Sequence, residues 1–278
     1  MGLGNLLLLW GKAFAFCQKN NLDLYVSSWW SFKPGAWKRN EKQKRLYFGY
    51  FKEDSIFKKI QLLLFKRKAY CVYEPKEDNI RGKYILYVFK KFHVEGDYFS
   101  EIKPYRTAIR DHLHEMLTSR LKQKLTHFGR PVIGIHVRRG DFKLGSYITP
   151  VSFFTDIINR LRRDCQSNLT VTIFSDASDE ELTDILSLPN TSRAEKKEDI
   201  LDLFLLGQSK ICILSISSTF SFWGGFLSDG IIIKHPEEWH PLLRPVEVNA
   251  VHFEGKWDGK TEMPELLYSN LAELKLAD

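Results

Sequence analysis

Residues 132–142 read Val-Ile-Gly-Ile-His-Val-Arg-Arg-Gly-Asp-Phe, and this stretch decides how the rest of the chain is interpreted. Its start, residues 132–135, is short, apolar and largely β-branched, which predicts a buried strand. Charged residues follow abruptly, and Gly140 predicts a tight turn among them. In open α/β sheets, ligands bind just outside the carboxyl ends of the strands. The stretch therefore predicts a ligand site at the edge of a parallel sheet.

Two adjacent arginines, Arg138 and Arg139, follow the end of this predicted strand. A guanidinium is planar and permanently charged, and it can donate to two phosphate oxygens at once. The pair therefore favours a phosphate-bearing ligand. The alternative is a solvated surface feature, since Arg-Arg pairs occur by chance in many proteins.

Regular strand–helix alternation from residue 131 onward predicts an α/β fold with a parallel sheet. We expect further strands at 169–174, 211–216 and 230–234, and helices at 150–163, 178–186, 200–206, 217–227 and 263–276. Ser178 and Glu181 predict a capping box for the second of these helices. Earlier in the chain we expect strands at 22–27, 69–73 and 84–89, and helices at 51–65 and from Pro104 to about residue 125. The apolar stripe of the last helix predicts core packing: Ile109, Leu113, Leu117 and Leu121.

Asp176 follows the predicted strand 169–174 and should therefore lie at the ligand edge of the sheet. Its carboxylate could accept hydrogen bonds from N1–H and the amino group of guanine, which would select GDP. A cap on the next helix is an equally good interpretation.

Hydroxyl side chains cluster where the strand 211–216 gives way to a helix: Ser217, Ser218 and Thr219. Together with backbone N–H groups they could hold a diphosphate. An ordinary helix cap is the alternative, although it would need only one of them. The aromatic residues that follow, Phe220, Phe222 and Trp223, are typical of core packing.

The chain opens Met-Gly-Leu-Gly-Asn and continues with a long apolar segment. This pattern predicts a tight loop that leads into a helix. Helix N-termini attract phosphate, and the N–H groups near Gly4 and Asn5 are therefore further candidates for a diphosphate contact.

The composition is that of a globular protein, with 278 residues, 44% hydrophobic and 27% charged. The sequence contains no run of about 20 apolar residues, so it predicts no transmembrane helix. The four cysteines, Cys17, Cys71, Cys165 and Cys212, show no metal-ligand spacing. They predict buried free thiols and a reducing compartment.

The net charge of +7 favours an anionic partner, namely a nucleotide, a nucleic acid or a membrane surface. Much of the excess lies in residues 33–68, where tryptophan, tyrosine and phenylalanine alternate with lysine and arginine. That mixture suits a sugar-binding cleft or an interfacial surface. It would also suit single-stranded nucleic acid.

Metal chemistry is not indicated. The histidines His235 and His240 fit no common zinc motif. A D-x-D sequence is missing, because Asp176 and Asp179 are spaced too far apart for one. A magnesium-dependent diphosphate site of that kind is therefore not expected, and the arginines could neutralise the leaving group instead.

Residues 136–141, His-Val-Arg-Arg-Gly-Asp, resemble the H-x-R-R-x-D motif of α-1,2- and α-1,6-fucosyltransferases. The adjoining Phe142 fits the α-1,2 group, glycosyltransferase family 11. Residues 217–223 are similar to the third motif of that family, and residues 2–5 resemble the G-G-L-G-N segment that opens it. The resemblance covers the start of the chain and residues 132–225, and it is thin over residues 28–125.

The resemblance implies a GT-B-like α/β architecture, with two Rossmann-like lobes facing a cleft and a parallel sheet in the C-terminal lobe. Residues 1–125 would form the acceptor-side lobe, whose first strand would be missing because a strand precedes the opening loop in the family. Residues 130–260 would bind the nucleotide sugar, and residues 261–278 would form a C-terminal helix that packs back.

The implied activity is inverting transfer of L-fucose from GDP-fucose to a glycan hydroxyl, in an α-1,2 linkage, without a metal or other cofactor. Arg138 would be the main diphosphate contact and Asp141 the base, unless Asp141 only orients an arginine. The remaining site residues would bind substrate: Gly4, Asn5, His136, Arg139, Asp176, Ser217, Ser218 and Thr219. His136 would contact guanine or ribose.

Two alternatives stay open. The enzyme could transfer another nucleotide-activated sugar, because nothing in the sequence reads the methyl group of fucose. The basic aromatic region could instead belong to a non-catalytic protein that binds nucleic acid or a membrane surface. For a fucosyltransferase we expect a nucleotide-sugar donor and a glycan acceptor as partners, and no nucleic acid. We expect a cytoplasmic protein in peripheral contact with the inner, anionic membrane face.

Overall fold

The computed structural model describes residues 2–26, 29, 47–75, 84–91, 96–140, 148–195 and 198–276. Asp141 and Phe142 lie outside the described residues, as does most of the basic aromatic segment before residue 47. The chain divides into two compact units, Met1–Lys122 and Gln123–Asp278.

In the first unit, the described helices and strands are α1 (Leu3–Asn20), α2 (Ile56–Lys68), β1 (Tyr70–Tyr73), β2 (Ile85–Val88), α3 (Arg106–Met116) and the start of α4 (Ser119–His127). A short 3-10 turn, Lys103–Tyr105, leads into α3. Strands β1 and β2 pair in parallel. Aromatic contacts join α1 to α3, since the rings of Trp10 and Phe14 lie 6.0 and 5.0 Å from the ring of His112.

The predicted stripe of the α3–α4 segment forms core, because Ile109, Leu113, Leu117 and Leu121 are all fully buried. The helix is nevertheless interrupted at Leu117, whose ψ of 143° is extended. There the backbone forms an antiparallel bridge with Phe51. A long-range pairing therefore overrides the local helical pattern.

Two local predictions for this unit were wrong in part. Residues 22–26 form no strand. Helix α2 begins after Ser55, whose hydroxyl accepts a hydrogen bond from Lys58 N, and it continues to Lys68. Its predicted apolar face is exposed and does not enter the core.

The second unit alternates strands and helices: β3 (Ile133–Val137), α5 (Val151–Cys165), β4 (Val171–Ser175), α6 (Thr183–Leu186), β5 (Thr191–Arg193), α7 (Asp199–Gln208), β6 (Ile211–Ile213), α8 (Thr219–Leu227), β7 (Ile231–Lys234), α9 (Val246–Asn249), β8 (Glu254–Lys256) and α10 (Glu265–Leu276). A 3-10 turn, Glu180–Leu182, precedes α6. The short strands β5 and β8 were not predicted.

These strands form one six-stranded sheet in the order β5-β4-β3-β6-β7-β8, and every pair is parallel. The α/β class with a parallel C-terminal sheet is thus confirmed. The chain moves outward from β3 in one direction and then returns to place β6 on its other side. This is the strand order of doubly wound nucleotide-binding sheets, whose ligands bind where the order reverses. The reversal lies between β3 and β6.

All five residues of β3 are buried, as expected for a central strand covered on both faces. Gly134 permits this, because a Cβ there would lie 2.2 Å from Ser209 Oγ just after α7. The core includes Phe154, Ile157 and Leu161 from α5, and α10 adds Leu267 and Leu271.

A buried ionic cluster joins the last two strands to the loop between them. Glu254 of β8 lies 3.2 Å from Lys234 Nζ and 3.4 Å from Arg244 Nε, and all three side chains are almost fully buried. Arg244 also donates to the backbone carbonyls of Ser228, Gly230, His252 and Phe253. Arg244 thereby links the residues that precede β7 to those that precede β8.

All four cysteines are free thiols, but only Cys212 is fully buried. Burial raises the pKa values of Cys17 and Cys212 to about 11, so both are protonated at neutral pH. Among the described residues, none of the helices combines the length and the apolar composition needed to cross a bilayer.

Candidate active site

The predicted site residues of the second unit meet where the strand order reverses, at the carboxyl ends of β3 and β6. Ser215, two residues after β6, connects the two strands. Its hydroxyl donates to the carbonyl of His136 at 2.7 Å and accepts from the backbone N–H of Arg138 at 3.0 Å. The segment that carries the arginines is therefore held in place by the neighbouring strand.

Arg138 lies at this edge with its side chain 24% exposed. Its Nη1 donates to Oδ2 of Asp176, which directly follows β4. This ion pair gives Arg138 a structural partner within the protein. A guanidinium has five N–H donors in total, however, and can bind an anion while it keeps a carboxylate partner.

Asp176 holds both arginine residues. While Oδ2 accepts from the Arg138 side chain, Oδ1 accepts from the backbone N–H of Arg139 at 2.8 Å. It does not cap the next helix. Glu181 performs that task by accepting from the N–H of Ser178 at 2.9 Å, which is one half of the predicted capping box.

Gly140 is required for a reason other than the tight turn that its position predicted. Its φ lies outside the left-handed region, so no glycine-specific backbone conformation occurs there. A Cβ on this residue would instead lie 2.3 Å from Oδ2 of Asp176. The missing side chain thus makes room for the carboxylate that holds Arg138.

Arg139 differs from its neighbour because it is buried, with 5% exposure. Its Nη1 donates to the carbonyl of Arg138 at 3.0 Å. Burial lowers the pKa of Arg139, and the nearby carboxylates of Glu181 and Asp176 oppose that effect. The two arginines, adjacent in sequence, therefore have unlike environments.

His136 is also buried, within β3, and its ring contacts side chains of the segment around α8. Its Nδ1 lies 2.6 Å from Ser221 Oγ, and its ring centroid is 4.7 Å from that of Phe220. Burial, with the positive charge of Arg138, lowers its pKa to about 3. The imidazole is therefore neutral at physiological pH and cannot supply a positive charge.

Ser217 has a strained backbone, with a φ of 53°, just ahead of α8. Glu238 and Trp239 hold Ser217 in this conformation. Its N–H donates to Glu238 Oε2 at 2.8 Å, and its hydroxyl accepts from the indole Nε1 of Trp239 at 2.9 Å. Glu238 is itself buried. Strained, over-determined backbone of this kind clusters at functional sites.

Ser218 is the N-cap of α8, because its hydroxyl accepts from the N–H of Ser221 at 3.3 Å. Thr219 is the first helical residue. The hydroxyl cluster therefore includes a helix cap, as the alternative interpretation held. It also lies at the N-terminus of a nine-residue helix, which carries a partial positive charge and begins at the same edge of the sheet.

The remaining predicted residues are not brought into this arrangement by the described structure. Gly4 and Asn5 lie in the first turn of α1, whose N-cap is Gly2, in the first unit. Asp141 lies outside the described residues. The roles assigned to these three residues stay predictions.

The described residues contain no group of three or more His, Cys, Asp or Glu side chains that could hold a metal ion. The two histidines that were considered as metal ligands pack against aromatic rings. His235 packs its ring against Phe153 at 4.7 Å, and His240 packs against Phe222 at 4.7 Å.

Several residues that build the site were not predicted from sequence. Ser215, Ser221 and Glu238 tie the strand ends together, and Thr149 Oγ1 accepts from the N–H of Ile216 at 2.9 Å. Ser221 lies within residues 217–223, which resemble the third motif of the family, and Ser215 lies in the predicted strand 211–216. No local pattern marks Thr149 or Glu238, because their partners are distant in sequence.

Several fucosyltransferase crystal structures are among the solved structures that resemble this chain, all at low sequence identity. The α-1,6-fucosyltransferase NodZ soaked with GDP-fucose is 16% identical, with 85% of this chain and 92% of that chain covered and a TM-score of 0.42. POFUT1 in complex with GDP-fucose is 13% identical, with 83% and 92% covered and a TM-score of 0.46. Fucosyltransferase NodZ from Bradyrhizobium is 16% identical, with 86% and 94% covered and a TM-score of 0.43.

A comparison with curated proteins finds no match. The model of one protein family, described as Glycosyl transferase family 11, matches residues 48–239. This segment is more than half of the chain, and it contains the ends of β3, β4 and β6 together with Glu238. The strand ends that meet at the reversal of the sheet thus lie inside the matched region, and the chain belongs to glycosyl transferase family 11.

Proposed function

We propose that this glycosyltransferase moves L-fucose from GDP-fucose to a hydroxyl of a glycan acceptor, with inversion and in an α-1,2 linkage. One observation carries the proposal. The segment matched by the family model places a partly exposed arginine, a helix N-terminus and a strained serine together where the parallel sheet reverses its strand order. That position of a doubly wound sheet suits a nucleotide diphosphate.

In the proposed reaction, Arg138 stabilises the departing GDP. As the bond between the sugar and the diphosphate breaks, negative charge grows on the β-phosphate while the sugar becomes cationic. A fixed cation at that point lowers the barrier, because it interacts more strongly with the transition state than with the bound donor. Arg138 is favoured over Arg139 because it is more exposed.

In this proposal Asp176 chiefly positions Arg138, and a contact with guanine is its second role. Both of its oxygens already accept hydrogen bonds within the protein. Each carboxylate oxygen has a second lone pair, so guanine could still be bound. The observed contacts support Asp176 chiefly as the residue that positions Arg138. Ser218 and Thr219 would present N–H groups at the start of α8 to the phosphates. The N–H of Ser217 is already bonded to Glu238, so Ser217 would contribute its hydroxyl, which accepts from Trp239 and still has a proton to donate.

The acceptor hydroxyl must lose a proton as it attacks the sugar. We assign Asp141 as the base because it is the carboxylate nearest to the arginines in sequence. His136, with a pKa of about 3 and a buried ring, is poorly suited to take up a proton from a hydroxyl at neutral pH.

The direct test compares Arg138→Ala and Arg138→Lys with the wild-type enzyme in a GDP-fucose assay. Loss of one preorganised donor to a developing oxyanion typically lowers kcat by about 100- to 1000-fold. We expect a loss of that size for the alanine variant and partial activity for the lysine variant, with unchanged circular dichroism. Near wild-type kcat in Arg138→Ala would remove this residue from the mechanism.

Donor identity is tested by calorimetric titration with GDP, UDP and ADP. Binding of GDP alone is expected. Preference for UDP or ADP would keep the family and change the sugar nucleotide. Product linkage, read by nuclear magnetic resonance, tests the α-1,2 assignment.

We also propose that no metal ion is needed, since arginine can neutralise the leaving group. Transfer should then be unchanged after dialysis against a chelator, and addition of magnesium should not raise kcat. Loss of activity on chelation that magnesium restores would contradict this part of the proposal and leave the sugar assignment intact.

A further inference from the structure

Helix α2, Ile56–Lys68, turns a broad apolar face to solvent. Five large hydrophobic residues of this face are exposed to the degree usual for surface residues: Ile56 76%, Phe57 69%, Ile60 49%, Leu63 62% and Leu64 55%. None of the residues of this helix is fully buried. Contiguous exposed apolar surface of this kind marks an interaction site in most proteins.

The exposed face is separate from the side by which the helix packs. At 3.6 residues per turn, Ile56, Ile60 and Leu63 lie on one side of the helix, and Leu62 and Phe65 lie on the other. Leu62 and Phe65 are half-buried, and the ring of Phe65 lies 6.2 Å from that of Tyr84. The helix is therefore attached to its own unit by a different face.

The same helix is strongly basic, with five lysine or arginine residues and no acidic residue in its sequence. At its start, Lys59 and Lys58 lie 2.7 and 3.7 Å from Glu53 and Asp54, so their charges are partly balanced. At its end, three consecutive cations form no ion pair with any described residue: Lys66, Arg67 and Lys68. The exposed Tyr70 and Tyr73 follow directly in β1.

We propose that α2 docks this protein onto an anionic lipid bilayer, with the helix lying in the plane of the interface. The apolar face would enter the boundary between headgroups and acyl chains, and the basic C-terminal end would contact lipid phosphates. Exposed apolar residues flanked by long basic side chains are what such interfacial helices need. Tyrosines next to the helix suit the headgroup level.

A bilayer matches these features better than a protein partner does. The apolar residues stand on the convex surface of a helix, and the cations are concentrated at one end, where a sheet of negative headgroups can meet all three at once. The inference concerns residues outside the proposed catalytic arrangement, and it holds whichever sugar is transferred.

The test uses the full chain and sedimentation with vesicles of phosphatidylcholine, with and without phosphatidylglycerol. We expect binding to the anionic vesicles only, with weakening as salt is raised. The apolar variant Ile60→Gln/Leu63→Gln and the charge variant Lys66→Gln/Arg67→Gln/Lys68→Gln should each lower partitioning at least about tenfold. A matched control, Val246→Gln/Val251→Gln, alters equally exposed apolar residues of the second unit and should bind as wild type.

Circular dichroism and GDP titration of each variant show whether it is folded, without reference to lipid. The proposal is overturned if the wild type ignores anionic vesicles, or if either α2 variant binds them as well as wild type does. It is also overturned if the face instead joins two copies of the chain, seen as a dimer in lipid-free sedimentation that the apolar variant abolishes. Transfer activity without vesicle binding would reject the docking surface and leave the proposed function standing.

Discussion

At the scale of single residues, neighbours in the motif have different environments that the sequence does not distinguish. Arg138 is partly exposed and paired with Asp176, whereas Arg139 is buried. Gly140 has no side chain because the carboxylate of Asp176 occupies the space where a Cβ would be. A motif of consecutive residues thus combines a partly exposed cation, a buried cation and a glycine whose missing side chain leaves room for a carboxylate.

The lowered pKa of His136 predicts how the free energy of unfolding changes with pH. Its pKa falls from 6.5 in the unfolded chain to about 3 in the folded protein, so the unfolded chain binds the proton more tightly between those values. Stability therefore rises with pH through this window and is lost as pH falls below about 6.5. One such group changes the free energy of unfolding by at most about 1.4 kcal/mol per pH unit.

The measurement is urea unfolding at pH 7 and pH 5 for the wild type and His136→Asn, which keeps a polar group near Ser221. We expect the wild type to lose up to about 2 kcal/mol more than the variant between these values. Equal losses would show that His136 is not held neutral by burial.

At the scale of elements, buried charges secure a short strand at the edge of the sheet. Strand β8 has only three residues, and Glu254 anchors it to Lys234 and Arg244. Burial lowers the pKa of Lys234, and the carboxylate of Glu254 opposes that effect. The sheet edge therefore depends on a negative charge that is scarcely exposed.

Glu254→Gln should destabilise the protein by about 3–5 kcal/mol, because it leaves two buried cations without their partner. Glu53→Gln is the matched control. It removes the same kind of carboxylate from an exposed pair with Lys59 and should cost less than about 1 kcal/mol. Chemical unfolding of both variants provides the comparison, and similar losses would show that burial does not determine the effect.

The elements also show where sequence patterns succeed. Strands β3, β4, β6 and β7 and helices α5, α6, α7 and α8 were predicted, because buried parallel strands appear in a sequence as β-branched runs and amphipathic helices show a period of 3.6 residues. The four-residue helix α9 was not predicted. Strands β5 and β8 were missed because their residues, Thr-Ser-Arg and Glu-Gly-Lys, form no apolar run. The break at Leu117 was missed because a partner 66 positions away in sequence, Phe51, determines it.

At the scale of the whole molecule, a nucleotide that binds only the folded state must raise its stability. If GDP binds the second unit as proposed, GDP at about 100 times its Kd should stabilise the folded state by about 2.7 kcal/mol, which corresponds to a rise of about 5–10 °C in the Tm of that unit. Differential scanning calorimetry with GDP, UDP and ADP measures this. A rise with every nucleotide would indicate general attraction to phosphate by a protein of net charge +7.

The sequence by itself determined the α/β class, the succession of the main strands along the chain and the three polar segments that follow them. These depend on local periodicity and on residue chemistry at strand ends. Only the tertiary structure decided which of those residues meet and in what state. Asp176 joins Arg138 across 38 positions, and Ser215 joins His136 across 79. Burial, charge partners and close contacts depend on distances between strands that the chain reaches only after folding, so no local pattern can encode them.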